Sequence, residues 1–183
     1  MKHVLSILAC LLVLTLYCSA GEVRVGGSIG YYSLADSIYK DTYGSGNLIY
    51  DASLSYDLLR NLEIRGEVGY FRDKGKTTLT REEIKFSMIL VVIGLRAKLV
   101  TIRKFSPYLG AGIDFYFFKE TARLGDTSDL TTGFHLEAGS YIALGRRFHL
   151  DLNLRYIKAD AQPLDETIKL GGWRAGVGVA YSF

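Results

Sequence analysis

Cysteine is almost absent from this sequence, which limits what can hold the fold together. Of the 183 residues two are cysteine, and both, Cys10 and Cys18, lie among the first 20 residues. Once those residues are removed, the remaining chain has neither a disulfide nor a thiolate metal ligand. A secreted scaffold held together by disulfides is therefore excluded.

The first 20 residues have the three parts of a secretory signal peptide. Lys2 and His3 precede an apolar run from Val4 to Leu16, and small residues lead to Ala20. A transmembrane helix needs about 20 apolar residues, so this run is too short for one. Acylation of Cys10, as in a lipoprotein, would leave almost no apolar run before the cut. We predict a cleaved signal peptide at 1–20 and one mature domain at 21–183.

Proline and helical periodicity are also scarce. The chain has 2 prolines, against 20 glycines and 13 tyrosines. No stretch of the mature chain sustains the 3.6-residue period of an amphipathic helix. This composition favours many strands over helices. The formal net charge of +3 is too small to indicate nucleic-acid binding.

What the mature chain does have is alternation of apolar and polar residues. The clearest case is Phe148 to Tyr156, where apolar or aromatic residues occupy every second position and polar residues lie between them. Similar segments predict strands at Val23–Tyr31, Leu48–Leu58, Leu62–Tyr70, Ile84–Leu99, Leu109–Phe117, Phe134–Leu144, Phe148–Tyr156 and Trp173–Phe183. In the fourth segment the apolar residues change register after Leu90, which predicts a β-bulge near Val91 to Gly94.

The lengths of these segments and of their connections indicate a membrane barrel. A transmembrane strand needs about 9–11 residues, whereas strands of soluble proteins average about 5–6. Long polar connections alternate with short ones, as in outer-membrane barrels, where the long loops are extracellular. The long connections are Ala35–Gly46, Arg72–Arg81, Lys119–Thr131 and Ala159–Thr167, and the short ones lie near Leu59–Asn61, Val100–Ser106 and Gly145–Arg147. The sequence therefore predicts an all-β fold, an eight-stranded antiparallel up-and-down transmembrane β-barrel.

The charged face of this barrel is predicted to point inward and the apolar face toward lipid. A basic residue on the lipid side costs about 2–4 kcal/mol at the midplane, and the opposite orientation would expose Arg24, Arg65 and Arg155 together. Aromatic residues near the strand ends, among them Tyr31, Tyr32, Tyr70, Phe71, Phe115 to Phe118 and Tyr156, are then expected to form interfacial girdles.

The inward charges of both signs nearly balance. This favours a salt-bridged plug over a conducting or ligand-holding lumen, because a selective pore usually shows one dominant sign. The predicted interior charge network consists of Arg24, Asp51, Arg65, Glu67, Lys85, Arg96, Asp114, Glu137, Asp151, Arg155 and Arg174.

No set of residues indicates catalysis or cofactor binding. His135 and Glu137 share an inward face, but the nearby serines, Ser128 and Ser140, lie in a predicted loop and in the other register. His135 and His149 are on adjacent predicted strands and could approach each other, yet the zinc-site spacings are missing. We predict no enzyme activity, no metal and no cofactor.

The C-terminal segment GVGVAYSF carries a family resemblance. Its Gly178, Tyr181 and Phe183 resemble the assembly signal of outer-membrane proteins, with Gly176 at a position that is usually polar. The segments SPYLGAGIDFYF and HLEAGSYIALGRRFHLDLNLRY look like the outer membrane protein beta-barrel domain family of OmpA/OmpX/OmpW-like, porin-superfamily barrels. The resemblance implies recognition of the last strand by the barrel-assembly machinery and residence in the cell outer membrane of a Gram-negative organism.

The resemblance also implies what the barrel could do. The expected role is structural or interactional, with the barrel as an anchor and the extracellular loops as a contact surface of unknown ligand. The expected partners are outer-membrane lipid and lipopolysaccharide. The alternative is a small channel or carrier for ions or apolar solutes, as in the OmpW-like branch. An enzyme that modifies lipid A would need a serine, a histidine and an acid at one rim.

Overall fold

The computed structural model describes residues 21–35, 46–76, 83–122, 125–161 and 168–183. The predicted signal peptide at 1–20 lies outside these residues and stays a prediction. Within the described ranges, no helix is long and apolar enough to cross a membrane.

Every described element is a strand. The strands are β1 (Val23–Leu34), β2 (Asn47–Leu59), β3 (Leu62–Lys76), β4 (Glu83–Lys98), β5 (Phe105–Ala122), β6 (Gly125–Ala143), β7 (Phe148–Ala161), β8 (Ile168–Lys169) and β9 (Gly172–Ser182). β8 is a two-residue strand beside the end of β7. The other eight form the wall, and each pairs antiparallel with the next.

The wall closes because the first and last strands pair with each other. β1 and β9 are paired from Arg24↔Ser182 to Leu34↔Gly172, while β9 pairs on its other side with β7. Closure satisfies the backbone groups that an open sheet leaves at its edges. The predicted eight-stranded antiparallel barrel is confirmed. We call the end with the long connections the loop end, and the opposite end, where Val23 and Ser182 lie, the turn end.

Several strands run further toward the loop end than predicted. Within the stretches Arg72–Arg81 and Lys119–Thr131, expected to be loops, the described residues instead continue the paired strands: β3 reaches Lys76, β5 reaches Ala122 and β6 starts at Gly125. The residues of these extensions are mostly polar in sequence. The alternation that reveals a strand against lipid is therefore lost where the strand leaves the apolar belt.

The β-bulge predicted near Val91 to Gly94 is wrong. β4 pairs with both neighbours in one unbroken register. As a result Phe86, Met88 and Leu90, which the predicted register turned toward lipid, are buried in the interior, at 5%, 1% and 0% exposure, while Ile89 and Ile93 are exposed. The strand does not change face; the interior changes from polar to apolar along it.

Because the interior becomes apolar toward the loop end, part of the predicted aromatic girdle is wrong. Tyr31, Tyr70 and Tyr156 are exposed on the outer surface. Tyr32 and Phe71, their sequence neighbours, are fully buried inside. They belong to an apolar cluster in the loop half of the barrel that we call the apolar layer: Tyr32, Leu34, Ile49, Phe71, Phe86, Met88, Leu90, Val92, Tyr116, Phe118, Ile157, Ala159 and Leu170.

Candidate functional site: the barrel interior

The turn half of the interior is filled by a continuous network of buried ion pairs. At its centre, Glu67 on β3 accepts hydrogen bonds from Arg65 at 3.2 Å, Arg155 at 3.1 Å and Arg174 at 2.8 Å. Arg174 also binds Asp51 on β2. Arg65 lies on the same strand as Glu67, whereas the contacts of Arg155 and Arg174 cross the lumen and join strands that are not neighbours in the wall.

A second acid continues the network toward the turn end. Glu137 on β6 binds Arg155 at 3.1 Å and Arg96 at 2.6 Å. Arg96 in turn lies 3.2 Å from Asp151, and Arg65 lies 3.5 Å from the same carboxylate. Arg96 is fully buried. A buried charge without a partner costs several kcal/mol, and here every one of these arginines has a carboxylate within reach.

Two tyrosines connect this network to a lower group of charges. The Tyr108 hydroxyl donates to Asp151 at 2.6 Å, and the Tyr141 hydroxyl donates to Glu63 at 2.8 Å while accepting from Arg96 at 2.6 Å. The guanidinium of Arg96 also lies 4.2 Å from the centre of the Tyr108 ring, a cation–π contact. The sequence could have indicated both tyrosines, because Tyr108 and Tyr141 occupy the same alternate positions as the inward charged residues of β5 and β6.

The lower group lies where the interior opens at the turn end. Arg24 binds Glu63 at 2.7 Å and also binds Asp57. Lys98 lies 2.6 Å from Asp57. A cavity of about 640 Å³ opens here and is lined by, among others, Arg24, Asp57 and Tyr141.

Asp114 and His135 form a separate pair between the network and the apolar layer. His135 Nδ1 lies 2.8 Å from Asp114 Oδ1, and both side chains are buried. Tyr116 donates to Asp114 at 3.4 Å. Above this pair the interior is occupied by the apolar layer, whose members are at most 5% exposed.

Glycines make the room that these side chains occupy. A Cβ on Gly110 would lie 2.7 Å from the Glu137 carboxylate, and one on Gly69 would lie 2.5 Å from that of Asp51. A Cβ on Gly112 would lie 2.7 Å from the His135 ring. The narrow barrel holds its long charged residues because facing positions lack side chains.

Of the eleven residues in the predicted charge network, the structure brings nine together: Arg24, Asp51, Arg65, Glu67, Arg96, Glu137, Asp151, Arg155 and Arg174. Asp114 is buried as expected, but its described partners are His135 and Tyr116. The side chain of Lys85 lies outside the described part of the chain.

The residues weighed for catalysis are held apart. Glu137 binds arginines and His135 binds Asp114, while Ser140 donates to the Tyr141 carbonyl. His149 is paired with Ala143, eight residues along β6 from His135, so the expectation that the two histidines could meet is wrong. His149 Nδ1 instead lies 3.3 Å from the hydroxyl of the buried Ser182. Among the described residues there is no cluster of His, Cys, Asp and Glu that could hold a metal ion.

The three residues of the predicted assembly signal lie on or next to the strand that closes the barrel. Gly178 is packed against Ser28 of β1. The Tyr181 ring lies 5.1 Å from that of Phe148, and its hydroxyl accepts from Arg147 at 2.8 Å. Phe183 is 75% exposed at the turn end.

Solved structures of similar fold are outer-membrane barrels and surface proteins. OprG from Pseudomonas aeruginosa matches with a TM-score of 0.72 at 14% identity, over 90% of this chain and 96% of that one. Neisserial surface protein A matches with a TM-score of 0.65 at 16% identity, over 89% and 97%. Ail, the attachment invasion locus protein of Yersinia pestis, matches with a TM-score of 0.57 at 16% identity, over 89% and 99%. At these identities the likeness shows the fold alone.

Two further comparisons concern the sequence itself. A search of curated proteins finds no match to this chain. The family model of the outer membrane protein beta-barrel domain matches residues 6–183, nearly the whole chain. The chain therefore belongs to the outer membrane protein beta-barrel domain family and is a protein of the cell outer membrane.

Proposed function

We propose that this protein is a non-conducting anchor of the outer membrane whose loop end serves as a contact surface. The observation that carries the proposal is the filling of the interior. The charge network fills the turn half of the interior and the apolar layer fills the loop half. The lumen is therefore blocked at two successive levels along the barrel axis.

An ion that crossed this barrel would have to displace both barriers. Arg96, Arg155 and Arg174 are at most 1% exposed, and each is held by at least two carboxylates. Of the side chains in the apolar layer, only Tyr32 and Tyr116 carry a polar group, and their hydroxyls already donate to the Leu170 carbonyl and to Asp114, so the layer offers an ion little to replace its hydration shell. The cavity at the turn end, which Arg24 and Tyr141 line, is consistent with a vestibule rather than a channel.

The strands that extend beyond the membrane support the second half of the proposal. On the β5–β6 hairpin the last apolar pair on the outer face is Phe117↔Leu130, and pairing continues to Ala122↔Gly125. Five further residues at about 3.4 Å each extend the hairpin by about 17 Å along the strand. A passive lipid-embedded plug has no need of such an extension, whereas a contact surface does.

Conductance measurements test the anchor. Purified protein is inserted into planar bilayers, with a general porin as the positive control. We expect no current steps from this protein at neutral pH. Reproducible steps of one size would reject the non-conducting anchor in favour of a small ion channel.

Shortening the hairpin tests the contact surface. Lys119 and Ser128 are paired, so an Asn-Gly turn can join them directly and remove the extension. We expect cells that display this variant to lose adhesion to cultured epithelial cells while the barrel keeps its heat-dependent gel mobility. The control replaces the turn residues 145–147 at the opposite end. Equal adhesion by both variants would reject the hairpin as the contact surface.

The apolar layer favours a second candidate function, a carrier for apolar solutes. Such a solute would enter at the loop end among Phe71, Phe86 and Phe118, where the interior is apolar. The discriminating measurement is uptake of an apolar fluorescent dye by vesicles with and without the protein. Faster uptake with the protein, together with silent bilayers, would replace the anchor by a carrier.

A further inference from the structure

The cavity at the turn end has the size and the closure of a small-molecule site. Its volume of about 640 Å³ lies within the range of ligand pockets, about 300–1,000 Å³. Two of its lining residues, Arg24 and Tyr141, contact the fully buried Glu63 at 2.7 Å and 2.8 Å. These contacts join the cavity wall to the charge network. A molecule that enters from the turn end is therefore held in the cavity and does not pass further into the lumen.

The inner charges of the cavity are paired with one another. Arg24 contacts Asp57 and Glu63, and lies 3.3 Å from Glu22. Lys98 lies 2.6 Å from Asp57 and 3.9 Å from Glu63. Two bases thus face three carboxylates, so the inner part of the cavity carries no excess of positive charge. A ligand with several negative charges would be repelled by Asp57 and Glu63.

Arg60 is the one base lining the cavity that has no acidic partner among the described residues. It lies in the turn between β2 and β3 and is exposed. Its guanidinium presents paired N–H donors, a geometry that suits one carboxylate. The other exposed charges of the described turn end are mostly basic and make this end attractive to an anion. The exposed bases are Arg60, Arg103, Lys104, Arg146 and Arg147, and the exposed acidic side chain is Glu22.

Neighbouring residues of the lining suit a polar ligand. Thr101 and Ser106 both line the cavity, and their hydroxyl oxygens are 3.0 Å apart. A hydroxyl donates one hydrogen bond and accepts two, so both groups keep capacity for a ligand beyond the bond they share. Tyr56 adds an aromatic ring to the same wall. Hydroxyls, an aromatic ring and one guanidinium together fit a polyhydroxylated molecule that carries a single carboxylate.

We propose that the turn-end cavity binds a small sugar acid. Arg60 holds its carboxylate, and Thr101 and Ser106 form hydrogen bonds with its hydroxyl groups. The single negative charge of such a ligand matches the one base that lacks an acidic partner, and it limits the repulsion by Asp57 and Glu63. This site is separate from the contact surface at the loop end, and it faces the opposite side of the membrane.

The test is isothermal titration calorimetry of the folded barrel in detergent micelles at low salt. Glucuronate, glucose and glucosamine are the probes, because they share a sugar ring and differ in charge. We expect glucuronate to bind about tenfold more tightly than the other two, and Arg60→Gln to remove this difference, because a hydrogen bond between charged groups is lost. The matched control is Arg146→Gln, which removes the same charge from an exposed turn residue outside the cavity lining. It is expected to bind as the wild type does.

Two further measurements separate a sugar acid from a simple anion. Inorganic phosphate is expected not to displace glucuronate at equal concentration, and Thr101→Val/Ser106→Ala, which removes both hydroxyls, is expected to weaken glucuronate binding several-fold. The proposal is overturned if glucuronate does not bind, if glucose binds as tightly, or if the Arg60 and Arg146 variants are weakened equally. Displacement by phosphate, or unchanged binding without the two hydroxyls, would overturn the sugar acid in favour of a general anion site. Heat-dependent gel mobility verifies that each variant is folded.

Discussion

Glu67 is the residue on which the interior charges converge. It is 3% exposed and accepts hydrogen bonds from three arginines, Arg65, Arg155 and Arg174. Its neutral isostere would leave these guanidinium groups buried with less negative charge to compensate them. The desolvation of an uncompensated buried charge, more than the lost hydrogen bonds, sets the cost of the substitution.

We predict that Glu67→Gln lowers the free energy of unfolding by about 3 kcal/mol. The measurement is urea unfolding in lipid vesicles, followed by the fluorescence of Trp173, which is 55% exposed on the outer face. The control is Glu22→Gln, because Glu22 contacts Arg24 at 3.3 Å but its side chain is 43% exposed. A surface pair of this kind contributes at most about 1 kcal/mol. Equal stability of the two variants would contradict the central role of Glu67.

Gly139 gives a second prediction at this scale. A Cβ at this position would lie 2.4 Å from both the Leu152 carbonyl oxygen and the Tyr108 hydroxyl. We expect Gly139→Ala to destabilise the barrel by about 2 kcal/mol, as overpacking of a filled interior does. Gly66→Ala is the matched control, since its added Cβ would lie 3.9 Å from the Leu54 carbonyl oxygen. Urea unfolding compares the two, and a larger loss for Gly66→Ala would contradict the packing described.

At the scale of single elements, β7 and β4 show how far the sequence can be interpreted. The inward residues of β7 from His149 to Arg155 are polar and its outward residues are apolar, so alternation alone predicted its faces. β4 crosses from the charge network into the apolar layer, and Phe86 to Val92 on its inward face are as apolar as its outward face. Hydrophobicity then no longer distinguishes lumen from lipid, and only the pairing register does.

The charge network, too, could be predicted only in part from the sequence. Outside the apolar layer, alternation predicted which charged side chains enter the lumen, but no local pattern specifies their partners across it. Arg174 and Glu67, for example, are 107 residues apart in sequence and 2.8 Å apart in the barrel. Their contact depends on how the closed wall staggers its strands, a property of all eight together.

Cysteine labelling tests the register of β4. The mature part of the chain, as predicted, has no cysteine of its own, so Met88→Cys and Ile89→Cys each introduce one site. Each cysteine is labelled with a nitroxide, and the acceleration of its spin relaxation by lipid-dissolved oxygen is measured. We expect strong acceleration at position 89, because Ile89 is 47% exposed, and little at position 88, because Met88 is 1% exposed. Reversed accessibility would restore the bulge that the unbroken register excludes.

At the scale of the whole molecule, the barrel can close only when the last strand is present. β9 lies between β7 and β1, and the Phe183 amide donates to the Val23 carbonyl at 3.0 Å, at the turn end. The seam joins the first and last strands, so their pairing provides the contacts of greatest sequence separation among the described residues. Such contacts are slow to form, and assistance by an assembly factor would act at this step.

The exposed terminal aromatic residue lets assembly be separated from stability. Phe183 is 75% exposed, so Phe183→Ala removes little packing from the finished barrel. We predict that this variant refolds into detergent micelles as the wild type does, yet reaches the outer membrane of cells in several-fold lower amount. The measurement is the heat-shifted band in the outer-membrane fraction. Phe105→Ala is the control, an aromatic residue of the same end that is 46% exposed and lies outside the last strand.

Each outcome of that comparison assigns a role to Phe183. Loss in cells with normal refolding in micelles is what an assembly signal at the last strand requires. Equal amounts of the Phe183 and Phe105 variants in the outer membrane would remove Phe183 from the signal. Failure of Phe183→Ala to refold in micelles would make the residue part of the closing seam itself, because its ring contacts Tyr181 at 4.9 Å and that ring contacts Phe148 in turn.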